Sequence, residues 1–464
     1  MFKKFSTQQS KVFTMLSVLV LSFFFYFSSA DPSFGYFLQI SDIHFNPYTD
    51  PSLMPQLLKA DVSQWETLFS KSGVNGYGTP GKDETNANLL IAGLQRMGQA
   101  DRKPDFVIFT GDFIAHNFDT QFGPYVKNGV CYSTFVKKNI AFVVAMFNKY
   151  LPGTRVYFCL GNNDCDTGDY EIVPDGQFLH DTAPLLSANF IKDPEDQQAF
   201  ATTYPKGGYY MVTPPGTRNF FIISLNSNFF SEKYVNSGST DPAAQELDWL
   251  DAQLKRVRQQ NGKAWILLHI PPGADVYKSI KNSQYTAMWK KEYNDRFIQI
   301  LKANGDIITA GFSGHTHMDE FRILTQSLPS RQAVSFLHTC PALSPQFGNN
   351  PAFEQFSYDR GTLSTTNYEV YYLNLLQPPT PGSALFQPEY NFTTAYGQPT
   401  LTAATMLTTY DALNTNTAFQ NLYMKYYNVG NTASPGMDTS TFKTYWCGNG
   451  NLTQTDFSRC SGIQ

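Results

Sequence analysis

Beyond residue 30 the chain alternates short, nearly continuous apolar runs with longer stretches in which apolar residues return every three or four positions. The runs at 36–40, 106–110, 156–160, 220–225, 265–270, 307–312, 334–338 and 370–373 are rich in Val, Ile, Phe and Tyr, with polar or glycine-containing turns at their ends. Their length predicts strands, and apolarity on successive positions predicts that both faces are covered. The stretches 87–97, 135–150, 243–258 and 285–303 carry helical spacing. Strand–helix alternation predicts a layered α/β domain over 31–375, its sheets flanked by helices. The later strands follow one another closely, which predicts mixed sheets. After about residue 375 the texture changes. Pro378-Pro379-Thr380-Pro381-Gly382 reads as a linker or sharp loop, and 400–427 looks helical. Residues 376–464 are therefore expected to form a small helical C-terminal domain, too poor in apolar strands to extend the sheet.

The N-terminus changes the picture of where this fold works. Lys3, Lys4 and Lys11 precede an apolar run over 12–27, followed by Ser28-Ser29-Ala30. This is the layout of a secretory signal peptide, 1–30, cut after Ala30. No second run is long and apolar enough to cross a bilayer. The mature chain is expected to be secreted or lumenal, as in a lysosome- or vacuole-like compartment. The six cysteines suit an oxidising setting. Cys447 and Cys460, close together in a Gly/Asn-rich tail, are the expected disulfide. Cys159, inside an apolar run, is expected to be a buried thiol, and pairing among Cys131, Cys165 and Cys340 is open. Asn391-Phe-Thr and Asn451-Leu-Thr are glycosylation acceptors.

Composition removes several classes of function. The chain has 464 residues, 42% hydrophobic, 15% aromatic and only 16% charged, which excludes a disordered protein. With 34 basic against 38 acidic residues and a net charge of -4, it offers no broad cationic face for nucleic acid. Oligomeric state is not legible.

The chemistry lies where polar residues close the apolar runs. The first ends in Ser41-Asp42-Ile43-His44, the next in Gly111-Asp112, and the third in Gly161-Asn162-Asn163-Asp164; later ones end in His269 and in Gly314-His315-Thr316-His317. Strand C-termini converge on one rim of an α/β sheet. In an extended segment residues i and i+2 point the same way, so Asp42 with His44, and His315 with His317, are each expected to present two ligands to one place. Glycine before Asp112, Asn162 and His315 allows a close backbone approach. Carboxylate, imidazole and one amide oxygen suit Zn²⁺, Mn²⁺ or Fe better than a soft thiolate site would. Asp42, His44, Asp112, Asn162, His269, His315 and His317 are more ligands than one four-coordinate ion needs. Two ions, ~3.5–4 Å apart and sharing a carboxylate, are the economical reading. Zn²⁺ is expected first, with Mn²⁺ or Fe as alternatives.

Asp42-x-His44, Gly111-Asp112, Gly161-Asn162-x-Asp164, His269 and Gly314-His315-x-His317, in that order, resemble the calcineurin-like metallophosphoesterase superfamily. His269-Ile-Pro-Pro-Gly273, Gly314 to Phe321, Asp112-Phe-Ile-Ala-His116, Pro341 to Pro345 with Asn350-Pro351, Tyr390-Asn-Phe392 and Ala395-Tyr-Gly397 are similar to its acid sphingomyelinase branch. The resemblance covers nearly all of the mature chain. It lacks that enzyme's saposin-like module, so it points to the sphingomyelinase-like phosphodiesterases. It implies one metal on Asp42, His44, Asp112 and His317, and a second on Asp112, Asn162, His269 and His315. It further implies a phosphodiester or phosphoanhydride hydrolase in which a hydroxide bridging the metals attacks phosphorus.

One position departs from the pattern. The family places a histidine after Asn162, and this chain has Asn163, as endopolyphosphatases related to the branch do. An amide hydrogen-bonds a leaving oxygen but gives it no proton. His116 matches a second active-site histidine and is the candidate substitute. The expected substrates therefore tilt from lipid phosphodiesters such as sphingomyelin toward nucleotides or polyphosphate, whose leaving groups need little protonation. The alternatives are an endopolyphosphatase or nucleotide phosphohydrolase, and a catalytically weak secreted binding protein that keeps its metals. Tyr132, Asn349 and Phe353 are candidates to line the substrate groove.

Overall fold

The computed structural model describes residues 31–464 except 218, 237, 327–330, 378–384 and 434–435. The expected signal peptide and the Pro-rich linker fall outside the described residues. All the described strands and helices belong to one compact unit, Ser33–Gln464.

Two six-stranded sheets form its centre. The first contains β1 (Phe34–Ile40), β2 (Phe106–Phe109), β3 (Arg155–Phe158), β10 (Ala352–Asp359), β11 (Thr365–Tyr372) and β12 (Gln387–Asn391), ordered β12-β11-β10-β1-β2-β3. The second contains β4 (Tyr210–Val212), β5 (Phe220–Ser224), β6 (Lys263–Leu267), β7 (Ile308–Ser313), β8 (Glu320–Thr325) and β9 (Ala333–Thr339), ordered β4-β5-β6-β7-β9-β8. The strands β1, β2 and β3 run parallel, with Phe37 opposite Phe106 and Phe106 opposite Arg155. So do β5, β6, β7 and β9. Antiparallel strands complete both sheets.

The sheets meet through aromatic side chains. Phe37 lies 4.9 Å from Trp265 and 5.4 Å from Phe312, ring centre to ring centre, and Phe356 lies 5.5 Å from Phe312. These residues are fully buried, and ring pairs at such spacing add ~0.5–1.5 kcal/mol each beyond the area they bury. The Trp265 indole N–H donates to the Leu363 carbonyl at 2.9 Å, so no polar atom of that ring is left unpaired in the core. This packing holds the C-terminal ends of β1, β2, β6 and β7 at one rim. There Asp42 N donates to Gly111 O (2.9 Å) and Gly314 N to His269 O (3.0 Å).

The structure differs from expectation in three places. The strand β12 pairs with β11, so the segment after 376 does extend a sheet. A short strand with Gln, Pro and Glu holds an edge through backbone bonds rather than apolar faces. The helix expected over 285–303 spans only Lys291–Ala303. Upstream, Trp289 bridges to Ser231 and its indole N–H donates to Ile270 O at 2.9 Å, which holds the chain extended. The region 400–427 is two helices, Ala403–Leu413 and Thr417–Tyr427, the second capped by the Asn416 side chain. The helices Phe442–Gly450 and Gln454–Ser461 follow, joined by the Cys447–Cys460 disulfide. Cys159 is buried and free, as are Cys165 and Cys340, while Cys131 is exposed and free.

Candidate metal centre

The seven candidate ligands sit on the loops that leave the strands at this rim, but not by strand pleating. Asp42, His44, Asp112, His315 and His317 all have left-handed backbone, with φ of 47°, 44°, 61°, 74° and 66°. Expectation of an extended Asp-x-His and His-x-His arrangement is therefore corrected: the paired residues converge through left-handed turns. Each such non-glycine residue costs ~1–2 kcal/mol, and clustered strain of this kind marks sites that the surrounding structure over-determines. Loop-to-loop bonds hold it, including His44 N to Asp112 O at 2.9 Å. Glycine is needed at Gly314, where a Cβ would come within 2.0 Å of Ser41 Oγ and 2.6 Å of Asp42 Oδ2.

Two groups of donor atoms meet at Asp112. His44 Nε2 lies 3.3 Å from Asp112 Oδ2, 3.8 Å from Asp42 Oδ1 and 3.1 Å from His317 Nε2. His317 Nε2 lies 3.4 Å from Asp42 Oδ1. On the other side His269 Nε2 lies 3.2 Å from the same Asp112 Oδ2 and 3.1 Å from Asn162 Oδ1. The ring of His315 stands 5.1 Å from that of His269. All seven are buried apart from His315, which is partly so.

Hydrogen bonds show that this donor set fits cations. His44 Nδ1 faces the Ile114 carbonyl at 3.0 Å and His269 Nδ1 the Thr110 carbonyl at 2.7 Å. Each Nδ1 must carry the proton, which leaves Nε2 with its lone pair in the neutral ring. Asn162 gives its amide N–H to Asp169 Oδ1 at 2.6 Å, so its oxygen turns inward. Lone pairs of His269, Asn162 and Asp112 then face one another at close range, and the Nε2 atoms of His44 and His317 crowd Asp42, with His44 also facing Asp112. Such clusters need either added protons or cations. Without cations, burial lowers the pKa of His44 and His269, but the Asp112 and Asp42 carboxylates outweigh it and raise both to about 9. Burial dominates at His317, lowering it to about 3. Burial raises Asp112, yet His269 and His44 hold it well below the carboxylate range.

Asp164, which closes the Gly161-Asn162-Asn163-Asp164 turn and is not among the expected ligands, organises the rim. Its carboxylate accepts from the backbone N–H of Phe113 (2.7 Å), Gly161 (2.8 Å) and Asp112 (2.9 Å), tying two ligand loops together. Burial, helped by Asp112, pushes its pKa up to about 7. Asn163 turns to Asp112 as well, its backbone N–H reaching Oδ1 (2.9 Å) and its amide Oδ2 (3.1 Å). His116 stacks on His44 with ring centres 4.0 Å apart. Its Nδ1 and backbone N are both held by Glu84 Oε1, at 2.8 and 2.7 Å. Glu84 and Asp169 carried no signal in the sequence beyond being acidic residues in loops.

A cleft of about 510 Å³ opens over the site, lined by His116, His315 and His317 together with Tyr170, Lys233, Tyr277, Phe347 and Tyr445. The three groove candidates are elsewhere. Phe353 stacks on Tyr371 (5.3 Å), Asn349 is buried and bonds the Ala342 and Ser344 carbonyls, and Tyr132 packs on Phe122 (5.5 Å). Phe347, 52% exposed with its ring 4.5 Å from that of His317, takes the place expected of them.

Two groups of candidate metal ligands meet at one carboxylate, Asp112, at the rim of paired mixed sheets. The calcineurin-like phosphoesterase profile matches residues 35–319, and the chain belongs to that family. Among curated relatives, sphingomyelinase phosphodiesterase D of Dictyostelium discoideum is 30% identical over 78% of this chain and 80% of its own length. Human acid sphingomyelinase-like phosphodiesterase 3b is 26% identical over 74% and 73%, and human cyclic GMP-AMP phosphodiesterase SMPDL3A is 26% identical over 79% and 76%. The chain is a phosphoric ester hydrolase of the acid sphingomyelinase-like kind, and its family and donor set imply two divalent metals.

Proposed function

We propose that the protein is an exported phosphodiesterase whose two metals are held by Asp42, His44, Asp112 and His317 and by Asp112, Asn162, His269 and His315. The observation that carries this reading is Asp112 Oδ2, 3.3 Å from one imidazole group and 3.2 Å from the other. A single carboxylate oxygen facing two such groups is what a shared ligand requires. Divalent ions at these positions, Zn²⁺ first among them, supply a nucleophilic water at neutral pH and offset charge on the phosphoryl group.

The chain's own residues do the rest. Ser41 and the His315 N–H hold the Asp42 carboxylate. Asp169 keeps the Asn162 oxygen directed inward. Glu84 takes Nδ1–H of His116, which leaves Nε2 as the nitrogen available to the cleft for donating a proton to a leaving oxygen. Asn163, bonded to Asp112, has no proton to give. Acid catalysis resting on His116 alone favours leaving groups that are already stable anions, so phosphoanhydrides and nucleotide-type esters are the preferred substrates over sphingomyelin. The name of the cyclic GMP-AMP relative supports a nucleotide-type substrate. The leader-like residues 1–30, the disulfide and the acceptors Asn391 and Asn451 support export and glycosylation. Residues 31–375 are read as the catalytic part and 376–464 as its C-terminal part, helical apart from strand β12.

The test is hydrolysis of bis-p-nitrophenyl phosphate by metal-loaded protein, with metal content read alongside. Asp112→Asn is expected to lower kcat/KM at least about a thousandfold and to lower the metal content below two per chain. A wild-type protein that holds two metals and turns over no phosphoester would instead be a binding protein.

A further inference from the structure

The wall of the cleft beside His315 carries an ammonium group with no part in the chemistry assigned to the metal loops. Lys233 Nζ lies 3.2 Å from the Tyr170 hydroxyl and 4.4 Å from the centre of the Tyr170 ring. Tyr170 is buried, has left-handed backbone (φ 63°), and is tied back by its N–H to Asn162 O at 2.9 Å. Its ring stands edge-on to His315 with centres 6.4 Å apart. A fixed aromatic face thus presents the ammonium beside the candidate second metal site.

The two carboxylates on this side of the cleft are already taken. Asp169 accepts from Asn162 at 2.6 Å. Asp275 accepts from Lys278 Nζ at 2.6 Å and from the Lys278 N–H at 3.0 Å, capping the helix Val276–Asn282. Among the described residues no carboxylate lies within ion-pair distance of Lys233. The other two lining cations, Lys278 and Arg322, are paired with Asp275 and Glu320, so Lys233, on which Asp169 and Asp275 act only from beyond ion-pair distance, is the cation left to meet an anionic ligand at close range.

We propose that Lys233 forms a subsite for a second phosphoryl group adjacent to the scissile one, making the cleft selective for phosphoanhydrides. This rests on the phosphohydrolase reading and names its substrate class. In the reaction, water adds to the scissile phosphorus while the bond from phosphorus to the bridging oxygen breaks. That oxygen keeps the electron pair and leaves as a phosphate, and the proton released by water passes to solvent. Lys233 neutralises charge on the neighbouring phosphoryl group throughout.

Binding of imidodiphosphate, whose P–N–P link stands in for the anhydride, separates this subsite from turnover. Calorimetry on the Mn²⁺-loaded full chain would compare it with orthophosphate in wild type, Lys233→Ala and Lys233→Arg. A charge-assisted phosphate contact corresponds to about ten- to hundredfold in affinity. Lys233→Ala is expected to lose about that for imidodiphosphate and less than about threefold for orthophosphate, with Lys233→Arg close to wild type. Equal losses for both anions, or no loss for either, overturn the subsite. If wild type hydrolyses no phosphoanhydride yet the imidodiphosphate-to-orthophosphate ratio shifts as expected, the subsite stands and the substrate reading falls.

Discussion

Under the proposed function, Asn163 sets the demand the site places on its leaving group. Its amide donates to Asp112 Oδ2 at 3.1 Å, so it supports the shared carboxylate and transfers no proton. A histidine there adds a titratable donor, and Asn163→His is expected to raise kcat/KM on alkyl phosphodiesters about tenfold or more while changing bis-p-nitrophenyl phosphate by about twofold. Parallel kinetics on the two substrates check this; an equal gain on both would deny the leaving-group account. Glu84→Gln makes the complementary case. The Gln amide keeps an oxygen near His116 Nδ1 but loses the charge that fixes the imidazole, so alkyl esters are expected to slow about ten- to hundredfold and p-nitrophenyl esters only a few-fold. A series of esters graded in leaving-group pKa would read the difference as a steeper slope. The contrast also shows what single residues reveal in a sequence. Histidine, aspartate and asparagine closing apolar runs mark the candidate ligands on chemistry alone. Glu84 acts on a residue 32 positions away and Asp164 on one 52 away, through hydrogen bonds that only folding creates.

At the level of elements, legibility follows burial. The strands β1, β2, β3, β5, β6, β7, β9 and β11 are sites of the apolar runs, because covered strands must be apolar on both faces. The strands β8 and β10 were not legible. They bury Glu320 with Arg322 and Glu354 with His338, as ion pairs at 3.1 and 2.7 Å, and a charged residue inside a strand breaks the run that would announce it. The close of the chain was legible only as helical texture and a cysteine pair, yet it supports the cleft. In the helix Phe442–Gly450, Gly448 packs so tightly on Val276 that a Cβ would lie 2.4 Å from Val276 Cγ2, and Tyr445 lines the cleft. Leu452 O accepts from Asn294 at 2.8 Å. The disulfide closes a short loop, 13 residues in separation, worth about 3 kcal/mol. Replacing both Cys447 and Cys460 by Ser is expected to lower Tm by a few degrees and to raise KM more than it lowers kcat, because the helix Val276–Asn282 with Tyr277 and Lys278 loses its backing while the metal loops keep theirs. Thermal unfolding and steady-state kinetics on one preparation check both halves; a fall in kcat at constant KM would place the hairpin's influence on the metals instead.

Over the whole molecule, buried acids set how stability answers to pH. Glu246 is fully buried, with one oxygen accepting from Asn226 N at 2.6 Å and the other unpaired. Burial raises its pKa well above the ordinary value, does the same for Glu389, and raises Asp196 to about 6. None of them belongs to the metal loops. Unfolded, such groups titrate near ~4, so the folded chain binds protons more tightly than the unfolded one. The stability they contribute is fully present below ~4 and is lost as pH rises through their folded values, about 6 for Asp196. The fold is therefore expected to gain stability from about pH 7.5 to about pH 5. Metal-free His44 and His269, raised to about 9, act with the same sign, His315 and His317, lowered by burial, act with the opposite sign, and acid also releases metal and acts against it. Glu246→Gln separates the terms, since glutamine stands in for the protonated acid at every pH. In chelator-treated protein the Tm of wild type is expected to rise on acidification, and that of Glu246→Gln to rise less, with the two curves converging toward about pH 5. Curves that run parallel across the window would mean that Glu246 ionises in the fold as it does in water, and that the acid preference has no origin in this core.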